Sequence, residues 1–325
     1  MLAAVADLVQ PGVISTSDPA RLDAALATLE LTVRRRLDGL LQGNHLGLVP
    51  GPGTEPGDAR VYNPGDDVRR MDWSVTARTT EPHIRQTVAD RELETWLVAD
   101  LSASLDFGTT GCEKRDLVVA VAAAVGHLTR GGGNRIGAIV ATGAGITRIP
   151  ARGGRPALQH LLRALAATPR TGPGDRGDLA VALEQLRRPP RRRGLAVVLS
   201  DFIGPLDWER PLRALSGRHD LLAVEVLDPR DLELPDVGMV TLVDPETVRT
   251  KEVSTTTQLR AAFAEAAAEH RAQVDVALRR AGAAHLVLRT DRDWIADVLR
   301  FVMSRKRGWT GAATSPPVAR AGEAW

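Results

Sequence analysis

The spacing of apolar residues divides the chain into two unequal parts. Asp18-Pro19 offers an N-cap carboxylate and a proline for the first helical turn. After it Leu22, Leu26, Leu29, Val33, Leu37 and Leu40 recur every three or four residues. This period predicts one apolar stripe on an amphipathic helix that packs against its own domain, with docking to a partner as the alternative. Residues 43–65 are rich in Gly and Pro and read as loops and turns. Residues 62–92 mix both charge signs without a helical period and read as short extended pieces.

From residue 95 strands and helices alternate. Short apolar runs at 96–99, 136–141, 146–149, 195–199, 221–226, 240–243 and 285–288 read as strands. Between them, 114–129, 156–167, 179–187, 206–215, 259–280 and 293–303 read as helices. Apolar strands alternating with helices predict an α/β fold, a doubly wound and mostly parallel sheet covered on both faces, preceded by the N-terminal helix and extended segment. The expected division is 1–92 for that helix and segment, 93–305 for the α/β domain, and 306–325 for a polar, disordered tail.

Composition narrows the function classes. At 325 residues with 43% apolar and 25% charged side chains, the chain can bury a full core. The pI of 9.1 reflects arginine usage, because Lys114, Lys251 and Lys306 are the only lysines and the net charge is +2. The densest basic cluster, Arg187 to Arg193, has no interleaved aromatic. It reads as a solvated loop, with a phosphate-binding patch as the alternative, and no nucleic-acid partner is expected. The single cysteine, Cys112, excludes an internal disulfide. The N-terminus lacks a basic leader region, and no apolar run reaches the roughly 20 residues of a membrane span. The expected location is cytoplasmic.

The chemistry-bearing residues cluster where strands end. In such sheets ligands bind beyond the carboxyl ends of the strands. Two ends carry carboxylates, Asp100 and Asp201. Asp100 opens Asp-Leu-Ser-Ala-Ser, so Ser102 and Ser104 follow at two and four residues. A carboxylate and two hydroxyls leaving a strand can converge on one centre. Such hard oxygen donors suit Mg2+, with Asp201 contributing through water. The alternative is that the two serines cap the loop.

That pattern resembles the metal-ion-dependent adhesion site of von Willebrand factor A domains. The block Tyr62-Asn-Pro64-Gly65-Asp66-Asp67-Val-Arg69-Arg70-Met-Asp72-Trp73, followed by Thr76-Ala77-Arg78, is similar to the signature of a bacterial family called domain of unknown function 58. The resemblance covers roughly residues 20 to 305. It implies a von Willebrand factor A-like fold and a partner among MoxR-type AAA+ ATPases, beside which such proteins are commonly encoded. One position departs from the adhesion-site pattern. Where a threonine precedes Asp-Leu in the family type, this chain has Gly177 before Asp178-Leu179. Thr168, Thr171 or water would have to substitute, and Mg2+ affinity no better than roughly millimolar is expected.

The signature block also has a physical reading. Asp66, Asp67, Arg69, Arg70, Asp72 and Arg78 are matched charges able to form an ion-pair network, with Trp73 as its apolar anchor. Either this is an internal clasp, or Arg69, Arg70, Asp72, Trp73 and Arg78 form a partner-binding surface. No G-x-S-x-G, Walker loop or H-E-x-x-H motif is present. The expectation is a non-enzymatic interaction module, an adaptor or regulator of the ATPase, contacting partners through the metal edge. The alternatives are an Asp-dependent phosphatase with Asp100 as nucleophile, and a metal-independent scaffold recognised through residues 62–78. Ser102 stands where that phosphatase chemistry usually places a second acid.

Overall fold

The computed structural model describes residues 19–40, 59–62, 71–79, 81–85, 93–129, 133–170, 172, 177–187, 194–243 and 249–312. Helix α1 spans Pro19–Leu40 and buries Leu22, Leu26, Leu29, Val33 and Leu37 of the predicted stripe, the side chain of Leu40 lying outside the described residues. Strand β1 (Ala59–Val61) pairs antiparallel with β2 (His83–Arg85), and helix α2 (Trp73–Thr79) lies between them. This corrects the wholly extended reading of 62–92. Asp72 Oδ1 accepts hydrogen bonds from the backbone N–H of Ser74 and Val75, and this N-cap starts a helix without an apolar period.

The α/β domain begins with β3 (Glu94–Asp100), then α3 (Lys114–Leu128), β4 (Arg135–Thr142) and β5 (Gly145–Gly153). Helices α4 (Arg155–Ala166) and α5 (Leu179–Arg187) lead to β6 (Gly194–Ser200). Helix α6 (Glu209–Leu215) precedes β7 (His219–Leu227). A hairpin, β8 (Met239–Val243) with β9 (Thr250–Ser254), comes next, followed by α7 (Thr257–Ala281), β10 (Ala284–Arg289) and α8 (Trp294–Ala312). The six-stranded sheet has the order β10-β7-β6-β3-β4-β5 and is parallel except where β5 turns back on β4.

Strand residues alternate between the two faces. Leu97, Ala99, Val197 and Leu199 pack on one side with α1, α3, α4 and α8. Trp96, Val98, Ala196 and Val198 pack on the other with α5, α6 and α7. Both faces are therefore dry, which explains why β3 and β6 are apolar along their length rather than alternating. Helix α1 belongs to the first of these clusters. Arg36 also forms a two-pronged ion pair with Asp293, at 3.1 and 2.6 Å, so the N-terminal helix shares the domain's core.

Two expectations change. The run 240–243 is a strand, but it pairs only with β9, in a hairpin outside the main sheet with Met239 and Val243 exposed. The last helix continues to Ala312, through the start of the segment expected to be disordered, since no proline interrupts the chain before Pro316.

Candidate functional site at the carboxyl edge

Sheet topology fixes where the site lies. The chain leaves β3 towards β4 on one side and returns to β6 on the other, so the winding direction reverses between β3 and β6. Loops diverge at such a switch point and leave a crevice at the carboxyl ends. Asp100 ends β3 and Asp201 follows β6 directly, and both are buried there.

Hydrogen bonds within and between the two strand-end loops hold these side chains. Asp100 Oδ1 accepts the Ser102 N–H at 3.0 Å, and Asp100 Oδ2 accepts the Ser200 hydroxyl at 2.8 Å. A short 3-10 turn, Ala103–Leu105, brings the Ser104 hydroxyl to 3.2 Å from that of Ser102. Ser200 Oγ also accepts the Phe202 N–H, and Asp201 Oδ1 accepts the Ile203 N–H. Phe202 takes a left-handed φ of 51°, the only such non-glycine among the described residues. That conformation costs of order 1–3 kcal/mol. The two side-chain-to-backbone bonds around it hold the turn. The predicted quartet of Asp100, Ser102, Ser104 and Asp201 is thus gathered at one edge.

Gly177 belongs to the same place. A Cβ built on it would lie 2.7 Å from Ser102 Cβ and 3.3 Å from Asp100 Oδ1. The loop entering α5 has closed onto the serine loop, and a threonine would collide there. Thr168 does not substitute: its hydroxyl donates to the Ala164 carbonyl and its own carbonyl accepts from Arg115. Thr171 lies outside the described residues.

Sequence reasoning missed three members of the site, Lys114, Asp231 and Ser200. Lys114 is only 1% exposed, and its Nζ lies 2.9 Å from Asp201 Oδ2 and 3.1 Å from Asp231 Oδ2. The Phe107 ring covers the ammonium at 5.8 Å. Burial alone would lower the Lys114 pKa, but the Asp201 and Asp231 carboxylates outweigh it and hold the ammonium above its ordinary value. Burial, reinforced by Asp201, pushes the Asp100 carboxyl up. Its neighbour Arg115 ties α3 to Asp106 and to the Thr168 carbonyl. A lone lysine opening an apolar helix, in a chain that otherwise uses arginine, was the available signal.

These residues fit a hydrated dication poorly. Asp201 already faces a buried ammonium, Gly177 offers no hydroxyl, and the two serine hydroxyls bond to each other. Mg2+ dehydrates reluctantly and depends on fixed carboxylate charge, which Lys114 offsets at Asp201.

The signature segment presents a different surface. Trp73, expected as an apolar anchor, is 70% exposed, because the buried cap Asp72 rather than the indole faces inward. Arg78 donates to the Ser74 carbonyl along α2. Asp66, Asp67, Arg69 and Arg70 lie outside the described residues, as do Arg188 and Arg191 to Arg193. No helix among the described residues is long and apolar enough to cross a membrane.

Fold and edge together define a doubly wound α/β domain whose candidate site lies at a topological switch point. The chain belongs to the family described as Protein of unknown function DUF58, whose model matches residues 58–273. An uncharacterized protein of Mycobacterium tuberculosis is 63% identical over 291 residues, covering 90% of this chain and 92% of that protein. One of Mycobacterium avium is 60% identical over 163 residues, covering 50% of this chain and 96% of that protein. Among solved structures, the conserved hypothetical protein BatB from Bacteroides thetaiotaomicron is similar at 12% identity and a TM-score of 0.33, over 66% of this chain and 99% of that one. A von Willebrand factor type A protein from Catenulispora acidiphila is similar at 11% identity and a TM-score of 0.36, over 66% of this chain and 42% of that one.

Proposed function

We propose that this protein is a non-enzymatic, cytoplasmic interaction module that acts as an adaptor or regulator of a MoxR-type AAA+ ATPase, meeting its partner at the carboxyl edge of the sheet. The observation that supports this most is the convergence of three loops, carrying Asp100 to Ser104, Gly177 and Asp201, on one switch point. Ile203 and Phe107 stand at the rim of this edge, 48% and 40% exposed. They give it exposed apolar contact area of the kind that can anchor a protein contact. The phosphatase alternative is disfavoured because both Asp100 oxygens accept hydrogen bonds, from the Ser102 N–H and the Ser200 hydroxyl, and Ser102 stands where a second acid would be needed. The ATPase partner rests on the family resemblance.

A second reading keeps the partner but moves the contact to the signature segment, where Trp73 and Val61 are exposed. Aromatic side chains of this kind often anchor interfaces. Co-purification with the neighbouring AAA+ ATPase, with and without nucleotide, tests both readings. Ile203→Asp should abolish association if the sheet edge makes the contact, and Trp73→Ala should do so if the segment does. No association in any nucleotide state, with both proteins folded, would end the adaptor reading.

A further inference from the structure

We infer that Lys114 is the resident cation of the carboxyl edge, so that this domain holds its switch-point loops together without a bound metal. The inference stands apart from the choice of partner.

The position of Lys114 is costly unless it replaces something. It is the first residue of α3, where the helix macrodipole already places positive charge and a cation is disfavoured. It is also almost wholly desolvated, which for an unpaired ammonium costs several kcal/mol. Two carboxylates from two separate strand ends offset this. Asp201 follows β6, and Asp231 sits in the 3-10 turn after β7. One ammonium therefore bridges three elements, α3, the β6 end and the β7 end. A divalent ion coordinated by side chains from several loops would have the same mechanical effect. Arg115, next in sequence, does likewise on the other side, reaching Asp106 in the serine loop and the Thr168 carbonyl.

The rest of the edge is consistent with an internal cation. The space a threonine Cβ would need at Gly177 is filled by Ser102. The Ser102 and Ser104 hydroxyls share a hydrogen bond. The remaining carboxyl, Asp100, takes one hydrogen bond on each oxygen, from Ser102 N–H and Ser200 Oγ. Lys114 cannot be reached by a partner's carboxylate, because Asp201, Asp231 and the Phe107 ring enclose it. Contact at this edge then depends on loop shape and on rim residues, and chelation does not disturb it.

The test is thermal melting of the full chain with millimolar MgCl2, with MnCl2 and with EDTA, in wild type and in Lys114→Met. Wild type should melt within about 1 °C in all three, since a ligand that does not bind the native state cannot stabilise it. Lys114→Met leaves a buried and a partly buried carboxylate, Asp201 and Asp231, without their shared cation. It should melt about 10 °C lower, the loss expected for breaking a buried pair in a domain of this size. Added Mg2+ or Mn2+ should restore at least half of that loss, and adding Asp201→Asn to the variant should remove the response. A wild-type melt that rises saturably with Mg2+ and ceases to do so in Asp100→Ala overturns the inference, as does a folded Lys114→Met variant that ignores both metals. Should Lys114→Met fail to fold, Mn2+ titration of wild type followed by electron paramagnetic resonance decides the question. Free-ion signal throughout supports a resident ammonium, and a saturable bound fraction lost in Asp100→Ala overturns it.

Discussion

Ser200 Oγ donates a 2.8 Å hydrogen bond to Asp100 Oδ2 while accepting one from Phe202 N–H, so a single hydroxyl couples the ends of the two central strands and supports the left-handed turn beside them. Removing it takes one donor from Asp100 Oδ2 and the side-chain acceptor from the Phe202 N–H, both in buried surroundings. Ser200→Ala should therefore cost about 1–3 kcal/mol. Urea unfolding should show a lower midpoint with an unchanged slope, because the surface exposed on unfolding is the same.

Asp116 has a distinct pH signature. It is fully buried near the start of α3, with one oxygen accepting the Glu113 N–H and the other unpartnered, and burial lifts its carboxyl to about 6. A carboxyl raised in the folded state binds its proton more tightly there than in the unfolded chain. Its contribution to stability is therefore complete below the ordinary value of 3.8 and is lost as pH rises through about 6. Asp116→Asn should be more stable than wild type at pH 7, by up to about 3 kcal/mol. The advantage should shrink as pH falls through that window. Denaturant midpoints of both proteins at several pH values measure the difference directly.

Gly177→Thr would install the residue expected of the adhesion-site pattern. Its Cβ would meet Ser102 Cβ at 2.7 Å, so the serine loop or the loop before α5 must move. The variant should lose about 1–3 kcal/mol, as overpacked sites do, and gain no Mg2+ response. Calorimetric melts with and without Mg2+ check both outcomes.

Purified protein should give only background turnover of ATP, phosphomonoesters and simple esters. Turnover that disappears on Asp100→Asn would instead establish the carboxylate as a nucleophile.

Cys112 should resist alkylation in the native state. It is buried, and burial together with Asp116, Asp228 and Glu113 pushes its thiol up to about 12, leaving almost no thiolate at neutral pH. Iodoacetamide labelling should become rapid only after denaturation.

Much of this molecule could be read locally. The stripe Leu22 to Leu37, the apolar strands ending in Asp100 and Ser200-Asp201, and the helix stop at Gly282 (φ of 75°) all depend on periods and caps within a few residues. A two-face-buried parallel sheet follows from those strands being apolar throughout. The two strand-end aspartates could likewise be named in advance, because an abrupt change from apolar to acidic marks a strand's carboxyl end. Trp73 misled for the complementary reason: a tryptophan in a charged segment looks like an anchor, yet local pattern cannot say which side of a short helix faces inward.

The partners of those aspartates were a matter for the tertiary structure alone. Lys114 meets Asp201 across 87 residues of sequence and Asp231 across 117, and Gly177 reaches Ser102 through a different crossover. No period links such positions, since their proximity arises only when the sheet reverses its winding between β3 and β6. The same holds for 240–243, whose strand character was legible but whose sheet was not: extended apolar residues specify a conformation, while pairing is decided by whichever backbone edge the folded chain brings within hydrogen-bonding reach.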